Sequence, residues 1–242
     1  SKIISNIKIK KTKNPKYLLI ADRSNIDVAI RVSLFASILN KKKKINTLVI
    51  SDYKNNTSYN IYKIFGIFKI LNFTDYFKKN LFNLIIFLKF ILLALKFILG
   101  LVFSKNYLNK FINRFKIQNI VVGDIIYDIY IRYNNNYLRC NNFNLHFVVN
   151  SLKNIYIVLS RLIFLEKIFN KYEINTVLSA SLADISSGSL LIRFALYKQK
   201  KTIFLSGQQI KEYKKYQDCF TTTARLSNLE LKKLSYIYKT SK

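Results

Sequence analysis

The sequence predicts an α/β fold, a parallel sheet with flanking helices, and three observations predict it. Apolar, β-branched runs at residues 17–21 and 45–51 enclose a helical stretch, and runs at 173–180 and 201–206 enclose another. Strands alternating with helices in this way form βαβ units, whose strands lie parallel through a right-handed crossover. The chain has 242 residues and is 50% hydrophobic, enough for one large domain with a sizeable core.

Residues 1–15 are a basic lead-in ending at Pro15. The run YLLIA (17–21) reads as a buried strand followed by the turn DRSN. Ser24 or Asn25 caps a helix over 26–40, whose apolar face is Val28, Val32, Phe35 and Leu39. Residues 41–44, all lysine, suit that helix's C-terminal dipole. INTLVIS (45–51) is the second strand, and a short helix is expected over 61–68. The first turn lacks GxGxxG, so no dinucleotide fingerprint is present and no cofactor is expected.

Residues 81–103, LFNLIIFLKFILLALKFILGLVF, are the most apolar stretch. As a helix it would be about 34 Å long, enough to cross a bilayer. Its apolar side chains favour insertion by roughly 8 kcal/mol, and Lys89 and Lys96 oppose it by roughly 5–7 kcal/mol, so a span comes near to balance. The two lysines lie seven residues apart, nearly on one face with Lys78, which suits a helix lying on a membrane or packed under the sheet. A single-span membrane protein is the alternative.

Residues 117–132, IQNIVVGDIIYDIYIR, carry the most purposeful arrangement of charge. Ile120 to Val122 reads as a buried strand, Gly123 as its tight exit, and Asp124 as the cap of a helix. In that helix Asp124, Asp128 and Arg132 recur four residues apart on one stripe, beginning at a strand's carboxyl end, where open α/β sheets place ligands. A plainer reading makes Asp124 only a cap and Asp128 with Arg132 a surface pair worth about 0.3 kcal/mol.

An asparagine-rich loop with Arg139 (134–144), a helix over 145–171, a strand at 173–180, a helix over 189–199 and a strand at 201–206 complete the domain, assigned to 16–206. Between the third of these elements and the fourth, SLADISSG places Asp184, Ser186, Ser187 and Gly188 where free amides and a helix dipole can hold a phosphate or a sugar hydroxyl. Alternatively Ser187 simply caps the helix and Asp184 makes a turn. Residues 207–242 are basic and tyrosine-rich, partly helical from Asn228, and read as the start of a linker or second domain.

The net charge of +29 would ordinarily point to nucleic acid or an anionic membrane. Lysine, asparagine and isoleucine are abundant, tryptophan is absent and proline occurs once, the usage an AT-rich coding sequence imposes. The excess is mostly scattered lysine rather than the arginine that grips phosphate bidentately, so nucleic acid is disfavoured as a partner; a lysine-rich binder such as an organellar ribosomal protein remains the rival reading. Cys140 and Cys219 are far apart and His146 is the sole histidine, so no metal site or disulfide framework is encoded and a reduced cytoplasmic chain is expected. His146, in an apolar run, reads as a hydrogen-bonded core or rim residue. No P-loop, GxSxG or metalloprotease motif occurs. The absence of methionine, even at position 1, suggests a piece of a longer chain.

Gly123, Asp124, Tyr127, Asp128 and Arg132 form a Gly-Asp-x-x-Tyr-Asp-x-x-x-Arg pattern that resembles a signature of bacterial capsule and surface-polysaccharide proteins, glycosyltransferase-like with a GT-B-type fold. SASLADISSGSLLIRFAL (179–196) resembles the same family's strand, small-residue turn and Arg-Xaa-Ala-Leu helix. The resemblance implies a Rossmann-like N-terminal, acceptor-side half of such an enzyme. It further implies a nucleotide-sugar donor, a glycan or lipid-linked acceptor, and a cytoplasmic site with peripheral contact to an anionic inner membrane. In that setting Asp124 or Asp128 would serve as base, Arg132 would orient it, and Gly123, Tyr127, Asp184, Ser186, Ser187 and Gly188 would contact substrate.

Overall fold

The structure, a computed structural model, describes residues 16–22, 25–43, 45–52, 57–67, 69–80, 83–104, 107–133, 145–180, 187–205 and 210–214. In chain order these form β1 (Lys16–Ala21), α1 (Ile26–Lys43), β2 (Asn46–Ser51), α2 (Thr57–Ile64), β3 (Ile70–Asn72), α3 (Phe73–Asn80), α4 (Leu84–Phe103) and α5 (Tyr107–Arg114). Then follow β4 (Lys116–Ile117), β5 (Ile120–Val121), α6 (Gly123–Tyr133), α7 (Leu145–Lys171), β6 (Glu173–Ser179), α8 (Ser187–Tyr197), β7 (Lys201–Leu205) and β8 (Ile210–Tyr213).

Six strands make one sheet in the order β3-β2-β1-β6-β7-β8. All neighbours are parallel except β7 and β8. Successive side chains of β1 point to opposite faces, and both faces are covered, which is why its sequence is an unbroken apolar run. Leu18 and Ile20 pack with Val28, Val32 and Tyr62 of α1 and α2. Leu19 and Ala21 pack with α3 to α8 on the other side, through residues such as Phe73, Leu159, Leu162 and Leu191. The result is a mixed α/β domain with a mostly parallel sheet between two helical layers, compatible with a Rossmann-like fold.

Local rules explain most boundaries. Asn25 caps α1, its Oδ1 accepting from the amides of Asp27 at 2.9 Å and Val28 at 3.3 Å. Ser24 lies outside the described residues. The short helix expected over 61–68 lies instead at Thr57–Ile64. Gly66, at φ +76°, ends it: its amide reaches the Lys63 carbonyl and the Ile67 amide reaches that of Tyr62, the paired bonds of a glycine C-cap. The helix expected over 189–199 ends at Tyr197, because Gln199 adopts φ +55° and closes the same kind of cap without a glycine.

The principal correction concerns residues 117–124. Ile120 to Val122 is not a strand of the main sheet. Among the described residues β5 pairs antiparallel only with β4, across a two-residue turn in which Gln118 and Asn119 have φ +49° and +66°. Positive φ at both central residues matches the twist of a tight hairpin, and Asn tolerates it. The run is apolar because it is buried, Ile117 and Ile120 being at most 1% exposed, but its partner is local. The Gly123–Asp124 junction therefore does not leave the sheet's carboxyl edge beside Asn25 and residues 181–188, of which 181–186 are outside the described residues. Nor is Gly123 needed for its φ. A Cβ there would fall 1.8 Å from the Phe111 carbonyl oxygen, so the glycine lets the start of α6 press against the end of α5.

Gly123→Ala should consequently destabilise the fold by about 1–3 kcal/mol in urea unfolding, because backbone rather than a movable side chain opposes the methyl group. A stability unchanged within error would show that the α5–α6 approach is looser than this.

Candidate functional site

The strand order reverses between β1 and β6, the two central neighbours from which the chain runs outward in opposite directions. In open α/β sheets the crevice at the carboxyl ends of such strands is where ligands bind. Asp22 follows β1 there, Ser179 closes β6 and Ala180 follows it.

Asp22 is 5% exposed. Its Oδ2 accepts hydrogen bonds from Ser51 Oγ at 2.8 Å and Ser58 Oγ at 3.0 Å, and its Oδ1 from the Tyr62 hydroxyl at 3.1 Å. Ser51 ends β2, while Ser58 and Tyr62 lie one turn apart on α2. The Asp22 amide donates to the Ile50 carbonyl at 2.8 Å. One carboxyl group thus fastens the ends of two strands to the first helical layer. Burial, and secondarily the adjacent Asp22, push the Tyr62 phenol well above its ordinary value.

Asp52, one residue beyond β2, is gripped from the opposite layer. Arg161 of α7 donates Nη1 to Oδ1 at 3.0 Å and Nη2 to Oδ2 at 3.2 Å. The guanidinium carbon also lies 4.5 Å from the centre of the Phe73 ring. Thr74 Oγ1 donates to the Asp52 carbonyl. A small pocket opens here, with Asp52 and Arg161 as its polar groups among Ile50, Phe73, Phe164 and Leu190.

Asp124 forms the third such contact. Arg193 of α8, 2% exposed, donates Nη1 to Oδ1 at 2.7 Å and Nη2 to Oδ2 at 2.6 Å. The same Nη1 reaches the Val121 carbonyl at 2.7 Å. Helix α6 begins as expected at the Gly-Asp pair, but Asp124 does not act as its cap; its carboxylate turns to α8. Arg193 is the arginine of the Arg-Xaa-Ala-Leu segment. The two segments singled out in the sequence therefore touch through a bidentate ion pair between residues 69 positions apart in the chain.

The remaining predicted residues divide. Gly188 is buried in the first turn of α8, and Tyr127 lies half-buried with its ring 6.5 Å from that of Phe147. Asp128 is half-buried on α6. The side chains of Arg132 and Ser187 are outside the described residues, as are Arg139, Asp184, Ser186, Cys140 and Cys219. His146 is an exposed rim residue, its Nε2 at 3.1 Å from Asn150 Nδ2. Among the described residues no three His, Cys, Asp or Glu side chains gather to hold a metal.

Asp22, Asp52, Arg161 and Arg193 were missed from the sequence. A signal existed: YLLIAD and TLVISD both end a buried run in aspartate, and a lone arginine interrupts apolar positions in each of IVLSRLIF and LLIRFAL. No protein-family model, curated protein or solved structure matches the chain. The fold and geometry define a class: a doubly wound α/β domain with a polar rim at its switch point.

Two outcomes test this account. As pH rises through about 10, the unfolded chain loses its tyrosine protons before the folded state loses that of Tyr62, so stability is full below about pH 10 and falls above it. Burial also pushes the Tyr107 phenol up to about 12, which adds to the same alkaline loss. Tyr62→Phe should cost about 1–3 kcal/mol near neutrality by removing a hydrogen bond to Asp22, yet flatten the alkaline decline; an unchanged decline in denaturant titrations would detach Tyr62 from it. Asp124→Ala should cost about 3–5 kcal/mol, since it leaves Arg193 buried without its counter-charge, and Arg193→Met in the same chain should recover part of that. Simple additivity of the two substitutions would mean that the pair is not coupled.

Proposed function

We propose that the chain is the acceptor-side half of a glycosyltransferase-like protein of bacterial capsule or surface-polysaccharide synthesis. It moves a sugar from a nucleotide-sugar donor to a glycan or lipid-linked acceptor in the cytoplasm. The supporting observation is the reversal of strand order between β1 and β6, with the family-like segment 179–196 leaving β6 at that edge and entering α8. The amides of a helix's first turn favour a phosphate or a sugar hydroxyl, and a second Rossmann-like domain of a GT-B-type protein would close over the cleft. That function belongs to the site rather than to the fold, since sheets of this kind host many chemistries.

Sugar transfer needs a group that takes the acceptor's proton and dipoles or cations that offset the leaving diphosphate. Both oxygens of Asp124 already face Arg193, so Asp124 is a positioning residue, holding α6 against α8. The resemblance of residues 123–132, rather than the sheet edge, since α6 starts from the β4–β5 hairpin, assigns the proton acceptor in this reading to Asp128, one turn further along, with Arg132 next in the stripe. The α8 amino end and the 181–188 segment, including Asp184, Ser186, Ser187 and Gly188, supply the polar contacts to substrate.

Nucleoside diphosphate release by the full-length protein across a panel of nucleotide sugars tests the proposal. Asp128→Asn should lower kcat by about 100-fold or more while the protein keeps a single cooperative thermal transition. Unchanged turnover in that variant would remove Asp128 from the mechanism, and failure to bind any nucleotide sugar would remove the sugar-transfer reading itself.

A further inference from the structure

Helix α4 has two unlike sides. Ile86 is 3% exposed and Phe97 fully buried. Phe90 meets the Tyr156 ring at 5.2 Å and Phe97 meets that of Phe147 at 6.2 Å, so α4 runs antiparallel along α7. Among the described residues nothing covers the other side. Leu84, Leu88, Leu92, Leu95, Leu99 and Val102 are each between 50 and 70% exposed. At 100° per residue the exposed apolar positions fill an arc of roughly 160°, over a helix about 30 Å long. Leu145 and Val149, also exposed, extend the surface from the adjoining end of α7. A contiguous apolar face of this length, rimmed by lysine, is the kind of exposed patch that marks an interaction site on a folded protein.

We propose that this face of α4 lies on an anionic phospholipid bilayer, in the plane of the headgroups and without crossing them. Three features select that occupant. The exposed arc is entirely aliphatic and aromatic, with no polar group inside it to specify a protein partner, whereas protein interfaces pair an apolar centre with hydrogen-bonding groups. Lys89 and Lys96, both exposed, stand seven residues apart along one border of the arc, where their stems can lie on the apolar surface and their ammonium groups reach lipid phosphates. The chain's net charge of +29 complements an anionic surface and opposes association with a second copy.

The packing of α4 also decides between lying and spanning. By length and composition α4 and α7 could each cross a membrane. Yet α7 is a core helix, with Ile155, Val158, Leu159 and Leu162 at most 1% exposed in the layer against the sheet. The inner side of α4 is committed to α7 along its length, so a crossing would require α4 to peel away and expose Phe97 and Phe111. Only its outer side is available to lipid. The inference is independent of the sugar-transfer reading, because vesicle binding and turnover are separate measurements and either can fail alone.

Co-sedimentation of the full chain with vesicles of phosphatidylcholine, with and without phosphatidylglycerol, tests it. The protein should pellet with the anionic vesicles and be released by alkaline carbonate. Leu88→Asp with Leu95→Asp, both at exposed positions, should weaken binding at least tenfold without lowering the thermal midpoint. Lys89→Glu with Lys96→Glu should weaken binding to the anionic vesicles in particular. The proposal is overturned if the wild type stays in the supernatant, if the Leu88/Leu95 variant binds equally well, or if carbonate fails to release the protein, which would indicate a span. A vesicle-free dimer that the same two substitutions disrupt would overturn it in favour of self-association.

Discussion

A single buried guanidinium ties the second helical layer together. Arg193 sits on α8, which packs on the sheet, and its donors end on Asp124 of α6 and on the Val121 carbonyl of the β4–β5 hairpin. Hairpin and helix both belong to the long crossover between β3 and β6, which among the described residues contributes no strand to the main sheet. Apolar packing alone is non-directional and would let that crossover slide over α8. A planar guanidinium facing a carboxylate fixes one register and one angle, and lysine could not do so. The cost of burying the charge is offset only while both partners stay in place, so the contact makes the arrangement cooperative.

The same device recurs. Arg161 holds Asp52 from α7, and three hydroxyls hold Asp22 from β2 and α2. Each aspartate stands where a buried apolar segment ends and the backbone begins to turn. Here a short acidic side chain can reach groups in the next layer that strand hydrogen bonds do not. The sheet is thus joined to both helical layers by directed polar contacts near its carboxyl edge, as well as by the apolar contacts beneath.

Much of the fold could be read from periodicity. The parallel strands are continuous apolar runs, and α7 occupies residues 145–171 as its long helical pattern indicates. Asn25 announced the start of α1 by its capping chemistry. What failed to show was pairing. The run IVV carries the same apolar signal whether its partner is a distant parallel strand or the adjacent Lys116–Ile117, and only the Gln-Asn pair between them distinguishes the cases. Strand β3 and helix α5 were not foreseen because each is short, with three and eight residues and half-buried or mixed faces. In the candidate site, the sequence singled out Asp124 for its spacing to Asp128 and Arg132. The contact that engages it comes from Arg193, and no local pattern encodes a contact across 69 residues.

The two sides of α4 show why composition could not fix the fate of residues 81–103. Summed along the helix, the apolar residues and two lysines bring insertion near to balance, because such a sum treats every side chain as facing lipid. Packing divides them: Ile86, Phe90 and Phe97 are taken up by α7, and the aliphatic arc with its bordering lysines is left. Because α7 is itself pinned to the sheet's carboxyl edge by Arg161 and Asp52, the outer face of α4 is mechanically continuous with that edge. A surface that receives α4 would therefore hold the carboxyl edge of the sheet at a fixed height and tilt, because Arg161 and Asp52 join the helix that carries α4 to that edge.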